Sequence, residues 1–438
     1  MRDMKLLRIT TSGMKNISKD IVITFANSTI EKGITKINNV KGIFGFNGAG
    51  KTAFITSVDL YRNVVLDPTY LMQNDTTRKL EKLLNHTTKV FSFSIIFEYQ
   101  GNVVLKHSLR IEKSVANNFY YISYEEIALS SGRTLDDKYK IIIKKDHNEL
   151  SFAEDDGIFA GTLDYLKEAE LNYVSIVSKV FSKIADDAVA KNMSRSIGEK
   201  IVLSLYADVR DIDVYLSNED NHNNFVVDED VLDEIIGGVE MLKRRKGRWI
   251  DLYSDDAVVP KRLLSLYEDE NKRLERFIRL FKPEIEKIEL DKAEDGDIYH
   301  IRRIFKYRDY NVELEFESSG IKQLVKLFSY LSKCSKGALV FIDEIDTNIN
   351  TVYFSKLVSF FKNFGKGQLI FTSHNVEAMN VLKGQSRSIL VLGDNNNMDV
   401  WVGKGNKSPV RDYMDGFFPN SPMNVEDFDF VNIFFGED

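Results

Sequence analysis

Apolar and polar positions alternate with a period near two through KLLRITTSG (5–13) and DIVITFA (20–26), which predicts two strands with one buried face each. KINNVKGIFGF (36–46) reads as a strand running into a glycine-rich turn. KTAFITSVDLYRNVV (51–65) then places Phe54, Val58, Leu60, Tyr61, Val64 and Val65 at helical spacing. Residues 90–113 read as a hairpin turning at QGN, and NFYYISYEEIAL (118–129) and KYKIIIKK (138–145) continue the strand pattern. The period changes after about residue 155. TLDYLKEAELNYVSIVSKVFSKIADDAVAKN (162–192) predicts one helix, with Leu163, Leu166, Val174, Val177, Phe181 and Ile184 at spacings of three and four. Residues 260–283 predict another, with Pro260 in its first turn and Lys282-Pro283 as its stop. Strand patterns return at IEKIEL (285–290), YHIRRIFKY (299–307) and YNVELEFE (310–317), and helix and strand then alternate to about residue 402. The fold class this predicts is α/β, in two pieces at about 1–150 and 284–438, with a mainly helical insertion at 151–283.

Composition narrows the picture only a little. A chain of 438 residues is too long for one average core, which fits a domain with a large insertion. Its net charge of −7 gives no overall attraction to nucleic acid or anionic lipid. The single cysteine, Cys334, rules out a disulfide framework within the chain and suits a cytoplasmic setting. The basic opening MRDMKLLRIT lacks a signal-peptide apolar core, and no apolar run approaches the roughly 20 residues of a membrane span.

The chemistry concentrates in three strand ends. Gly45-Phe46-Asn47-Gly48-Ala49-Gly50-Lys51-Thr52 satisfies G-x-x-x-x-G-K-[ST], with a strand before it and a helix after it. Glycines let the backbone amides of such a loop turn inward around phosphate oxygens. Lys51 is expected to reach the β- and γ-phosphates of ATP, and the Thr52 hydroxyl to ligate Mg²⁺. GALVFIDEID (337–346) is an apolar run ending in Asp343 and Glu344. At the carboxyl end of a parallel strand, Asp343 is expected to hold Mg²⁺ and Glu344 to act as general base or water-positioning group. QLIFTSHN (368–375) is a third apolar strand, and His374 at its end is placed to sense a γ-phosphate. FESSGIKQL begins an apolar helix at Ser318-Ser319-Gly320. Serine caps a helix in any case; here the capped terminus is also expected to bind the γ-phosphate held by another subunit.

These four motifs, in this order, resemble the ABC-type ATPases of the structural-maintenance, RecF and Rad-fifty-like branch. ESSGIKQL and FIDEIDTNIN look more narrowly like the AAA-type ATP/GTP phosphatases of bacterial anti-phage, abortive-infection and overcoming-lysogenization-like systems, including the ATPase of PARIS-like pairs. The likeness covers about 1–150 and 284–400. It implies a homo-oligomer, head to tail as a dimer or in a higher ring such as a hexamer. It also implies a separate effector such as a TOPRIM-type nuclease, with a phage protein as trigger. The pattern departs from the family at Ser319, where the full signature has its first glycine, and at Asn350, where many relatives have His or Asp. Gln73 is a weak candidate for the Q-loop glutamine. The 292 residues between Lys51 and Asp343 exceed what transporter ATPases need and favour an inserted arm for oligomerisation or partner binding.

Two further stretches stand apart. LKRRKGRW (242–249) packs five basic residues beside Trp249, and the preceding 207–240 holds 11 acids against one basic residue. Nucleic acid, an internal acidic–basic pairing and a protein interface all remain open for the patch from Lys243 to Trp249. The aromatic, acidic tail from Asp415 to Asp438 is either core cover or a docking element. No nuclease signature or clustered His/Cys metal site is visible. A RecF-like DNA repair ATPase and a binding module with structural ATP are the rival functions.

Overall fold

The computed structural model describes residues 5–26, 38–100, 103–114, 118–132, 134–153, 162–189, 196–216, 256–393, 396–403, 407–421 and 434. The basic patch 242–249 and most of the aromatic tail therefore lie outside the described residues.

Three sheets organise the chain. The first is antiparallel and seven-stranded, in the order β2-β1-β4-β5-β6-β7-β8. It is built from β1 (Leu6–Ser12), β2 (Ile21–Thr24), β4 (Val90–Gln100), β5 (Val103–Lys113), β6 (Tyr120–Ser130), β7 (Lys140–Asp146) and β8 (Glu149–Phe152). The second is the core, in the order β17-β16-β3-β15-β14-β9. Its members are β3 (Val40–Phe44), β9 (Ile212–Tyr215), β14 (Leu339–Ile342), β15 (Gln368–Thr372), β16 (Ile389–Leu392) and β17 (Met398–Val400), all parallel except β17. The third joins β10 (Asp256–Pro260), β11 (Lys287–Asp295) and β12 (Ile298–Lys306), with the short β13 (Asn311–Glu313) on β12.

The helices are α1 (Lys51–Leu66), α2 (Asn74–Leu83), α3 (Leu163–Glu168), α4 (Ile176–Val189), α5 (Ile197–Arg210), α6 (Leu264–Phe281), α7 (Ser319–Lys336), α8 (Thr351–Phe364), α9 (Glu377–Leu382) and α10 (Pro409–Met414). Alternate residues of each core strand face opposite ways, so the core sheet serves two hydrophobic clusters. Leu339, Phe341, Ile43 and Ile370 pack with α1, α4, α5 and the seven-stranded sheet. Val340, Ile342, Val40 and Phe371 pack with α6 to α9. This double coverage explains why all four residues of β14 and all five of β15 are buried and why both read as unbroken apolar runs.

The structure revises several sequence expectations. The described residues of 151–283 are mainly helical, but they are not a body apart from the core sheet. β9 pairs in parallel with β14, from Ile212↔Leu339 to Tyr215↔Ile342, and α5 packs on α1. The third sheet draws its first strand, β10, from the same stretch. The long helical pattern of 162–192 is two helices, because the chain is extended at Ala169 (φ −78°, ψ 138°). Pro260 closes β10 instead of opening a helix, with φ −56° and ψ 138°. YNVELEFE gives only a three-residue strand before a 3-10 turn at Leu314–Phe316. Among the described residues, no helix is long and apolar enough to cross a membrane.

Candidate functional site

β3, wholly buried at the middle of the core sheet, delivers the glycine-rich loop. Gly45 has φ +137°, and a Cβ there would stand 2.0 Å from the Leu392 carbonyl oxygen, so only glycine fits. Gly48 (φ +84°) and Gly50 (φ +106°) complete the turn, while the Ala49 side chain is buried and anchors the loop. Gly50 is the N-cap of α1 and no side chain caps that helix, so its first amides are open to an anion. Lys51 is buried, and its Nζ donates to the carbonyls of Gly45 (2.8 Å) and Phe46 (3.0 Å). Burial lowers its pKa, against the pull of Asp343, Glu344 and Asp346. Asn47, Gly48, Gly50, Lys51 and Thr52 form one wall of a cleft, and Glu344 and His374 line it as well.

One strand, β15, separates β3 from β14. Asp343 leaves the end of β14 almost fully buried, at 1% exposure. Its Oδ1 accepts from Thr372 Oγ1 (2.6 Å), while its Oδ2 is buried with no hydrogen-bond partner. An orphaned carboxylate oxygen in the interior is costly, and this one suits a cation or its water. Among the described residues no cluster of three or more His, Cys, Asp or Glu could hold a metal. Glu344 has φ +50°, the left-handed region that a non-glycine residue rarely adopts. Its amide donates to Thr372 Oγ1 (2.8 Å), so one threonine hydroxyl holds both acids. His374 is exposed in the turn after β15.

A family profile matches residues 42–380, from the glycine-rich loop to beyond His374. The chain belongs to the family described as "AAA domain, putative AbiEii toxin, Type IV TA system". It is thus an AAA-type ATPase, a nucleotide-binding class. No curated protein sequence matches this ATPase. Among solved structures, the SmcHead bound to the C-winged helix domain of ScpA superposes with a TM-score of 0.42 at 13% identity, covering 91% of this chain and 98% of that chain. The Smc head domain with an extended coiled coil bound to the C-terminal domain of ScpA, derived from Pyrococcus furiosus, gives 0.43 at 15% identity, with 91% and 96% covered. The SMC head domain from Thermotoga maritima gives 0.35 at 12% identity, with 92% and 100% covered.

Several expected residues do not line this cleft, among them Asp343, Ser318, Ser319, Gly320 and Gln73, whereas Lys15 and Asn16, which were not expected, do. Ser318 caps α7, its Oγ accepting from the Ile321 amide (3.4 Å). Ser318 and Ser319 are exposed, Gly320 is half-buried, and none of the three lines the cleft. Gln73 is exposed and bonds within its own turn, donating to Asp67 Oδ2 (3.2 Å) and Thr69 Oγ1 (3.3 Å); it does not line the cleft. Asn350 caps α8, accepting from the Val352 amide (2.9 Å). Lys15 and Asn16, at the tip of the turn after β1, do line the cleft, and Asn16 Nδ2 donates to the Gly48 carbonyl (2.5 Å). The sequence signal for this turn is the polar pair Lys15-Asn16, just beyond Gly13 in SGMKNIS.

Proposed function

We propose that the chain is a slowly hydrolysing ATP switch working as a head-to-tail assembly of its own copies. The P-loop of one copy grips the nucleotide and Ser318–Gly320 of another closes over it. The observation that carries this reading is the separation just described. The phosphate loop, Glu344 and His374 share one cleft, while the serine-tipped end of α7 is exposed and does not line it.

Each residue has a distinct task. Lys51 exchanges two loop carbonyls for β- and γ-phosphate oxygens, and the amides at the start of α1 bind the same anion. Thr52 and Asp343 would hold Mg²⁺, which would offset the negative charge of the phosphates. Glu344 orients the attacking water and accepts its proton. His374 hydrogen-bonds the γ-phosphate and loses that bond when phosphate leaves. The output is conformational, because only the triphosphate state favours the closed assembly.

The family's toxin and type IV TA description supports a role in anti-phage defence. There the switch holds or triggers a separate effector, such as a TOPRIM-type nuclease, in the manner of PARIS-like pairs. The test is light scattering on purified Glu344→Gln protein. ATP with Mg²⁺ is expected to convert monomer to dimer or larger ring, and wild-type protein is expected to revert as it releases phosphate. A Glu344→Gln protein that stays monomeric at saturating MgATP contradicts the reading.

A further inference from the structure

We infer that Asn396 and Asn85 are positioning residues that clamp the Lys15–Asn16 turn into the nucleotide cleft. The inference rests on the cleft being the ATP site, as proposed above.

Asn396 lies between β16 and β17, 380 residues from Asn16, and only 8% of it is exposed. Its Nδ2 donates to the Asn16 carbonyl (3.1 Å). Its Oδ1 accepts from the Ser18 amide (2.8 Å), the Ser18 hydroxyl (3.3 Å) and the Lys19 amide (3.4 Å). The other side of the turn is held by Asn85, just after α2, which is 7% exposed. Asn85 Nδ2 donates to the Lys15 carbonyl (2.7 Å), and its Oδ1 accepts from the Thr87 and Thr88 amides, each at 3.0 Å. Two neighbouring cleft residues thus have their carbonyls fixed by two distant, buried amides. Lys15 has φ +47°, a conformation lysine does not hold without support. With its backbone pinned, Lys15 lines the cleft, and Asn16 braces the loop at Gly48. Asn396 itself has φ +63°, which asparagine tolerates and which frees its amide to span both strands of the turn. A side chain that pre-sets a ligand-binding loop acts on affinity through the ordering that binding would otherwise require.

The test compares MgATP affinity by titration calorimetry and melting without nucleotide. The variants are Asn396→Gly, which keeps the backbone conformation, and Asn396→Asp, which keeps the acceptor and loses the donor. Both are expected to weaken MgATP binding about five- to twentyfold and to raise KM more than they lower kcat. Melting without nucleotide is expected to change by no more than a few degrees. Asn85→Asp is expected to behave the same way. Lys51→Ala serves as the reference. If it leaves affinity intact, the cleft is not the nucleotide site. If Lys51→Ala abolishes binding while every folded Asn396 and Asn85 variant binds as wild type, the clamp is refuted. Should Asn396→Gly fail to fold, the Asn396→Asp affinity decides.

Discussion

Around Gly45–Thr52 the chain is fixed from every direction. Leu392 crowds Gly45, Asn16 holds Gly48, and Lys51 is bonded to two carbonyls. Across the cleft Thr372 ties Asp343 to the Glu344 amide. Around Ser318–Gly320, among the described residues, the side-chain hydrogen bonds are the helix's own cap and that of Glu317, which accepts from the Ser318 amide. A Cβ on Gly320 would meet nothing nearer than Asn348, at 3.6 Å. In the proposed function the first region is one half of a phosphate site. The second has the same physical means of binding an anion, a helix N-terminus, but no counterpart within its own protomer. On the reading proposed here these are two halves of one site, and within a protomer none of Ser318–Gly320 lines the cleft that holds Lys51.

The largest test of that contrast is Glu344→Gln. Phosphate release is expected to fall about 10²- to 10⁴-fold, the usual worth of a general base, with MgATP affinity kept or improved. Equal phosphate release from both proteins would mean that Glu344 is not the base.

A pair of glycine substitutions comes next. Gly45→Ala adds a Cβ against the Leu392 carbonyl at positive φ and is expected to abolish nucleotide binding and lower the melting temperature. Gly320→Glu puts a carboxylate at the first turn of α7, where the helix dipole favours it, so folding is expected to be unharmed. The monomer should bind MgATP within about threefold of wild type, since a difference of 1.4 kcal/mol would already be tenfold. ATP-driven association should disappear, because like charges then meet. Normal association of Gly320→Glu, followed by light scattering, would remove α7 from the site.

The smallest effect is at Asn350. Because it caps α8 within its own protomer, Asn350→Ala is expected to cost about 1 kcal/mol in denaturant unfolding. ATP-driven association should be unchanged. A loss of association without a loss of stability would show that this loop, too, reaches a second copy.

Much of this contrast was legible in the sequence, and the reason is locality. The phosphate loop, Asp343-Glu344 and His374 each sit at the end of a wholly buried parallel strand, whose apolar run can be read from a few residues. What could not be read depends on distant partners. β9 is a four-residue strand holding Asp213, and only its pairing with β14 places it in the core. Pro260 was misplaced because a proline fits a strand end as well as a first helical turn, and its partner Ile298 decides the matter. Glu125 sits in an apolar strand yet is fully buried, accepting from Ser175 Oγ (2.5 Å) and meeting His107 Nε2 at 3.0 Å, with Tyr61 of α1 on the other ring nitrogen. Periodicity carries no trace of such a network, and none of the asparagines that hold the Lys15–Asn16 turn.

Cysteine cross-linking tests the central claim most directly. Cys334 is the chain's one cysteine and is buried, so a background with Cys334→Ser leaves no competing thiol. Asn47→Cys and Ser319→Cys, introduced together with Glu344→Gln, place one thiol on each half of the divided site. Oxidation with MgATP present is expected to give a covalent dimer or ring on a non-reducing gel, and oxidation without nucleotide to give monomer. Cross-linking within a single chain, or none between chains at saturating MgATP, would contradict the shared site.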